Sequence, residues 1–184
     1  MKHHKMTIAG VQCALPLCPI TPELYIAAFI LLGNSPLSEA CARELLKIAP
    51  EYDYILTAEA KGIPLAHEMA RQAGNDCYIV ARKSPKLYMT DLVEVNVKTI
   101  TTASEQKLYL DGSDRARMAG KRILVVDDVI STGESLRALE SLVEQVGGNC
   151  VGKMAVLAEG DAQERDDILF LEPLPLFSAN GEPI

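Results

Sequence analysis

The run Ile123-Leu124-Val125-Val126-Asp127-Asp128-Val129-Ile130-Ser131-Thr132-Gly133-Glu134-Ser135 constrains this chain more than any other stretch. Four apolar, mostly β-branched residues read as a buried strand, and two adjacent carboxylates end it. Small hydroxyl residues around Gly133 then form a loop. Beyond it Leu136, Leu139, Leu142, Val143 and Val146 fall on one face of a helix, which Gly147-Gly148 ends.

A strand-loop-helix junction of this kind favours an anionic ligand. The first backbone N–H groups of a helix are unpaired, and the helix dipole adds partial positive charge there. Ser131, Thr132 and Ser135 add hydroxyl donors, and Gly133 lets the backbone come close. Asp127 and Asp128, at the carboxyl end of the strand, suit sugar hydroxyls or a hydrated divalent cation. Phosphate, polyol and cation together indicate a phosphorylated sugar. Ordinary turn and capping needs explain an acidic pair alone, but not the hydroxyl-rich loop and helix behind it. A response-regulator receiver also ends a strand in paired acids, but there the strand opens the domain, whereas here it lies far along the chain.

Composition sets outer limits. The 184 residues fit one domain, or one with a small appendage, and 48% hydrophobic residues suffice for a substantial core. A net charge of −7 argues against a nucleic-acid or anionic-membrane surface, so any phosphate site must be built locally. Cys13, Cys18, Cys41, Cys77 and Cys150 form neither a Cys-x-x-Cys pair nor a zinc-spaced cluster, which points to reduced thiols and a cytoplasmic location. Lys2, His3, His4 and Lys5 precede a partly apolar run, but Gln12, Pro16 and Pro19 interrupt it and argue against a secretory signal. No stretch reaches the roughly 20 apolar residues needed to span a bilayer.

In chain order, residues 6–20 suggest an irregular strand or arm. Thr21-Pro22-Glu23 reads as an N-cap and first turn, predicting a helix to about Leu32; Ser38 begins a second helix ending near Ala49-Pro50. Tyr54-Ile55-Leu56-Thr57 is a buried strand, and a helix runs from about Ile63 to Arg71 before Gly74. Between them Ala58-Glu59-Ala60-Lys61-Gly62 forms a second junction of the anion-binding kind. Cys77 to Ala81 is a third strand, after which Arg82, Lys83 and Lys86 supply local positive charge. Period-two alternation over 91–97 and 107–110 predicts a β-hairpin with a long tip, followed by a charged linker. Strands are expected over Val151 to Leu157 and Ile168 to Leu171. These units add up to an α/β fold: a mostly parallel twisted sheet with helices on both faces.

The run from Ile123 to Ser135 resembles the signature of type I phosphoribosyltransferases, closest to the adenine and xanthine (purine) group, which bind 5-phosphoribosyl 1-diphosphate (PRPP). The resemblance implies transfer of the phosphoribosyl group to a purine base with Mg2+ as cofactor, in purine salvage. It implies that Asp127 and Asp128 hold the ribose and act as catalytic residues, near the metal carried by PRPP and water. Val129, Ile130, Ser131, Thr132, Gly133, Glu134 and Ser135 would cradle the 5-phosphate. Many members carry glycine where Glu134 stands, so its side chain is expected to turn into solvent. The loop Glu59, Ala60, Lys61 and Gly62 resembles the family's diphosphate loop, with a strained cis bond expected between Ala60 and Lys61. Arg82, Lys83 and Lys86 resemble cations that meet diphosphate, in some members across a dimer interface. The hairpin would close over the site; alignment places Thr102 where adenine-specific members carry glutamate, with Glu105 three residues on. The resemblance further implies a homodimer. It divides the chain into an N-terminal arm with helices over 1–50, a PRPP-binding core over 51–160 and a C-terminal segment over 161–184, the two ends forming a hood over the base. The alternative is a PRPP-sensing regulator of the same fold without catalysis.

Overall fold

The computed structural model describes residues 2–97 and 106–184. In chain order the strands and helices are β1 (His3–Ile8), β2 (Val11–Pro19), β3 (Leu24–Ala27), α1 (Ser35–Ile48), β4 (Tyr54–Ala58), α2 (Ile63–Ala73), β5 (Ile79–Ala81), β6 (Val93–Val97), β7 (Gln106–Leu110), α3 (Gly112–Met118), β8 (Arg122–Ile130), α4 (Glu134–Gln145), β9 (Asn149–Glu159), β10 (Leu169–Leu174) and β11 (Phe177–Ser178). Five of the strands form one sheet in the order β10-β9-β8-β4-β5, and every neighbouring pair in it is parallel.

β8 occupies the centre because both its faces are apolar. Ile123, Leu124, Val125 and Val126 are all fully buried, as strands covered on both sides require. Leu124 and Val126 join Ile55, Met154 and Val156 against Leu45 of α1 and Leu65 and Met69 of α2. Ile123 and Val125 join Leu56 and Ala155 on the opposite face, against Leu139, Leu142 and Val143 of α4. Helices therefore cover both faces, as the alternation predicts. β10 is an edge strand, which is where its Pro173 is tolerated.

A second sheet, β1-β2-β3-β11, draws on both ends of the chain. Its apolar side, with Ile8, Leu17, Ala27 and Phe177, packs into the same core as α1 and α2. Here the structure corrects two expectations. Residues 24–27 are a strand, not part of a helix. The Thr21 hydroxyl accepts from the N–H groups of Glu23 and Leu24, so Thr21-Pro22-Glu23 makes a hairpin turn, and Leu24–Ala27 pairs with β2. A hydroxyl ahead of Pro and Glu serves a turn as well as a cap, and pairing with β2 decides between them. Residues 161–184 also divide: Leu169–Leu174 lies in the parallel sheet and only Phe177–Ser178 in the terminal one.

α1 starts at Ser35, earlier than expected, because the Asn34 carboxamide oxygen accepts from the Leu37 N–H. The stretch after Asp111, expected as a charged linker, is α3. Asp111 caps it by accepting from the Ser113 N–H at 2.9 Å, and its other oxygen accepts from the Thr90 N–H. β6 and β7 form the predicted hairpin, in the register Val93↔Leu110. Its base is tied to the end of β5, where Arg82 and Tyr109 exchange backbone hydrogen bonds. Thr102 and Glu105 lie outside the described residues.

Candidate active site

Two helices begin at the carboxyl edge of the parallel sheet next to the predicted site residues, and their caps set them apart. α1 and α3 are capped by the side chains of Asn34 and Asp111. α2 and α4 have glycine N-caps, Gly62 and Gly133, with no side-chain hydrogen bond. A missing cap costs about 1 kcal/mol, whereas each buried Leu or Val on the inner face of α4 contributes roughly 1.5–3 kcal/mol. Burial of Leu136, Leu139, Leu142 and Val143 therefore holds α4 without a cap, leaving its first N–H groups to a ligand.

The loop from β8 to α4 encloses a cavity of about 40 Å³, lined by Asp127, the whole run from Val129 to Ser135, and Leu136. Ser131, Thr132 and Ser135 are exposed, while Ile130 is core. Gly133 has φ +76°, a conformation that favours glycine. Glu134 departs from the expectation that it turns wholly into solvent: it is half-buried and lines the cavity. It stands at the first position of α4, where the helix dipole favours a carboxylate.

The acidic pair is asymmetric. Asp128 is only 2% exposed, and its Oδ2 is buried without a hydrogen-bond partner among the described residues. The Lys61 ammonium lies 3.4 Å from that oxygen, close enough for electrostatic pairing without forming a hydrogen bond. Asp127 accepts from the Asp128 N–H at 2.9 Å, and burial, followed by the neighbouring Asp128 charge, raises its pKa. A buried carboxylate oxygen without a donor, Asp128 Oδ2, suits a ligand rich in hydroxyls, or a hydrated cation.

The loop from β4 to α2 lies against this pair. A Cβ on Gly62 would come 2.2 Å from the Thr57 hydroxyl and 3.2 Å from Asp127 Oδ1, so only glycine fits where the two loops meet. The cis bond of this loop joins Glu59 and Ala60, one residue earlier than expected. Glu59 reaches the end of β5, accepting from Arg82 Nη1 at 3.3 Å and from the Lys83 N–H at 3.0 Å. The Lys83 N–H and then the charges of Lys86 and Arg82 hold its carboxyl below the usual range. Arg82 also donates to the Tyr88 hydroxyl at 3.0 Å, and Lys86 donates to the Ser84 hydroxyl.

The structure thus brings Asp127, Asp128, Lys61 and Gly62 into direct proximity, with Glu59, Arg82 and Lys83 one contact further along. Three residues escaped the sequence reading. Thr57 has a fully buried hydroxyl with no partner among the described residues; a polar residue closing an apolar strand was its only signal. Glu159 ends β9, and burial raises its pKa against the opposing field of Lys61. Arg165 packs on Gly133 from a charged stretch with no periodicity, and no local pattern marks it. Among the described residues no three His, Cys, Asp or Glu side chains gather as a metal cage. No described helix is long and apolar enough to cross a membrane.

A parallel sheet with two uncapped helix starts and an acidic pair at its carboxyl edge is an arrangement suited to phosphorylated ligands. Residues 32–175 match the phosphoribosyl transferase domain, and the chain belongs to that family of enzymes. It is 34% identical over 135 residues to a hypoxanthine/guanine phosphoribosyltransferase of Methanococcus voltae, covering 73% of this chain and 68% of that one. With a protein of the same name from Methanococcus maripaludis the identity is 31% over 158 residues, covering 82% and 81%. Among solved structures, adenine phosphoribosyltransferases from Thermoanaerobacter pseudethanolicus and Rhodothermus marinus share the fold, with TM-scores of 0.64 and 0.65. Their identities are 21% and 20%; the first alignment covers 94% of this chain and 95% of its counterpart, the second 94% of each.

Proposed function

We infer that the protein is a purine phosphoribosyltransferase of purine salvage, converting PRPP and a purine base to the nucleoside 5-monophosphate and diphosphate. The observation that carries this is the meeting of the acidic pair and the two uncapped helix starts at one sheet edge. A 6-oxopurine, hypoxanthine or guanine, is the favoured base, because relatives at 34% and 31% identity bear that name.

In the reaction a ring nitrogen of the base bonds to C1 of the ribose as the C1–O bond breaks, and diphosphate departs with the electron pair. The proton of the base N–H leaves to solvent. The protein contributes positioning and charge. Ser131 to Ser135 and the start of α4 anchor the 5-phosphate. Asp127 and Asp128 hold the ribose hydroxyls while positive charge develops on the sugar. Lys61, the Gly62 backbone, Arg82, Lys83 and Lys86 meet the diphosphate. The unpartnered Asp128 Oδ2 and its neighbour Asp127 fit a hydrated Mg2+ carried by PRPP, which supplies charge neutralisation on the leaving group.

A homodimer and a cytoplasmic location belong to this proposal. Leu87 and Tyr88, 108% and 68% exposed beside Arg82, offer an apolar surface for a second copy, and the scattered cysteines are all free thiols. The net charge of −7 opposes a nucleic-acid partner. Diphosphate release from PRPP and magnesium, run with hypoxanthine, guanine, xanthine, adenine, uracil and orotate and a no-base control, tests the activity. Turnover with hypoxanthine or guanine is expected. Silence with every base, together with PRPP binding, would instead identify a PRPP-sensing regulator.

A further inference from the structure

The phosphate loop is braced from outside by a chain of charges that no part of the motif contains. A Cβ on Gly133 would come 2.5 Å from Arg165 Nη1, so the guanidinium lies directly on the loop at the N-cap of α4. Its other edge is held by a fork: Nε and Nη2 donate to the two oxygens of Asp167 at 2.8 and 2.7 Å. Asp167 Oδ2 also accepts from the Lys153 ammonium at 2.6 Å, and that ammonium donates to Glu140 of α4 at 2.8 Å. The network therefore closes a ring from the start of α4, through the segment after β9, across β9 and back to α4.

Its geometry is that of a support. Arg165 does not line the cavity. Only a quarter of its side chain is exposed, and the fork fixes the plane of the guanidinium. Gly133 needs its left-handed conformation to aim the first N–H groups of α4 into the cavity, and a planar cation on its bare Cα face limits how that residue can move.

We propose that Arg165, held by Asp167, is a positioning residue for the 5-phosphate: it fixes the Gly133 turn, so that the loop is formed before PRPP arrives. This rests on the PRPP reading above.

The test combines steady-state kinetics, calorimetric titration of PRPP with magnesium and thermal melting, on wild type, Arg165→Gln and Asp167→Asn. Arg165→Gln is expected to raise KM and Kd for PRPP about tenfold, with kcat within about twofold and KM for the base unmoved, as loss of binding shared by ground and transition states does. Asp167→Asn, which loosens the guanidinium without removing it, should move the same constants in the same direction by a smaller factor. Variants with a lowered Tm but wild-type KM and Kd for PRPP would show a merely structural role and overturn the proposal. Failure of the wild type to bind PRPP would overturn the reading beneath it, and the proposal with it.

Discussion

The two strand-loop-helix junctions at the sheet edge share a plan and differ in how they carry charge. After β8 the loop is built of hydroxyls and backbone N–H groups, and its cations do not line the cavity: Arg165 sits outside as a brace and Arg137 donates to the Thr132 carbonyl. Around the loop after β4 the positive charge comes from side chains, and two of them are already engaged with acids: Lys61 of the loop with Asp128, and Arg82 at the end of β5 with Glu59. A backbone cradle is ready for its anion. The side-chain cradle must exchange partners when an anion arrives. This division fits a ligand with one phosphate that stays attached and one diphosphate that leaves, since fixed N–H groups hold and mobile cations release.

The largest effect expected from disturbing this contrast is at the residue that joins the two loops. Asp128→Ala removes the buried carboxylate that faces Lys61 and, on the proposed reading, the sugar, and should lower turnover by more than about tenfold, with circular dichroism and melting showing the fold intact. Unchanged turnover would remove Asp128 from the catalytic account. Next comes Gly62→Ala. Its Cβ has no room beside the Thr57 hydroxyl, so the loop must shift, and the cost should be about 1–3 kcal/mol in urea unfolding, with weakened diphosphate binding. Wild-type values of both would mean that the close approach is not maintained in solution.

Glu59→Gln should act more mildly. It releases Arg82 and Lys83 from a carboxylate and is expected to change diphosphate affinity by about two- to fivefold in either competition or titration, with kcat little altered. A tenfold loss of kcat would mean that Glu59 does chemistry itself. The smallest effect concerns pH. The folded-state pKa of Glu59 is depressed, so its contribution to stability is present above its unfolded pKa and is lost as pH falls through the folded one. Melting temperatures of wild type and Glu59→Gln should therefore differ at neutral pH and converge below about pH 4. A gap that widened on acidification would contradict the assigned direction.

Much of this contrast is legible in the sequence. The β8 junction is a local pattern: four apolar residues, two acids, hydroxyls around a glycine, then a 3.6-residue period. Its strand, its helix and the apolar face of α4 lie where periodicity puts them, because burial on both sides of β8 leaves little alternative. The parallel order of the core follows from the same repeated unit. What failed to show was decided by pairing at a distance or by an unseen cap. Leu24 to Ala27 carries a helix-like preface, and only the partner strand β2 makes it a strand. α3 was hidden because Asp111-Gly112 reads as a turn when its capping role is unseen. The partners of Arg165 include Lys153 on another strand and Glu140 on another helix, and no window of sequence contains that ring.

The most direct measurement is a pair of titrations, ribose 5-phosphate and then diphosphate with magnesium, into wild type, Gly133→Ala and Gly62→Ala. If the two junctions divide the ligand, Gly133→Ala loses ribose 5-phosphate affinity and keeps diphosphate affinity, while Gly62→Ala does the reverse. If both variants weaken both ligands equally, the two loops are not separate cradles, and the account of how this site holds one phosphate and releases the other is wrong.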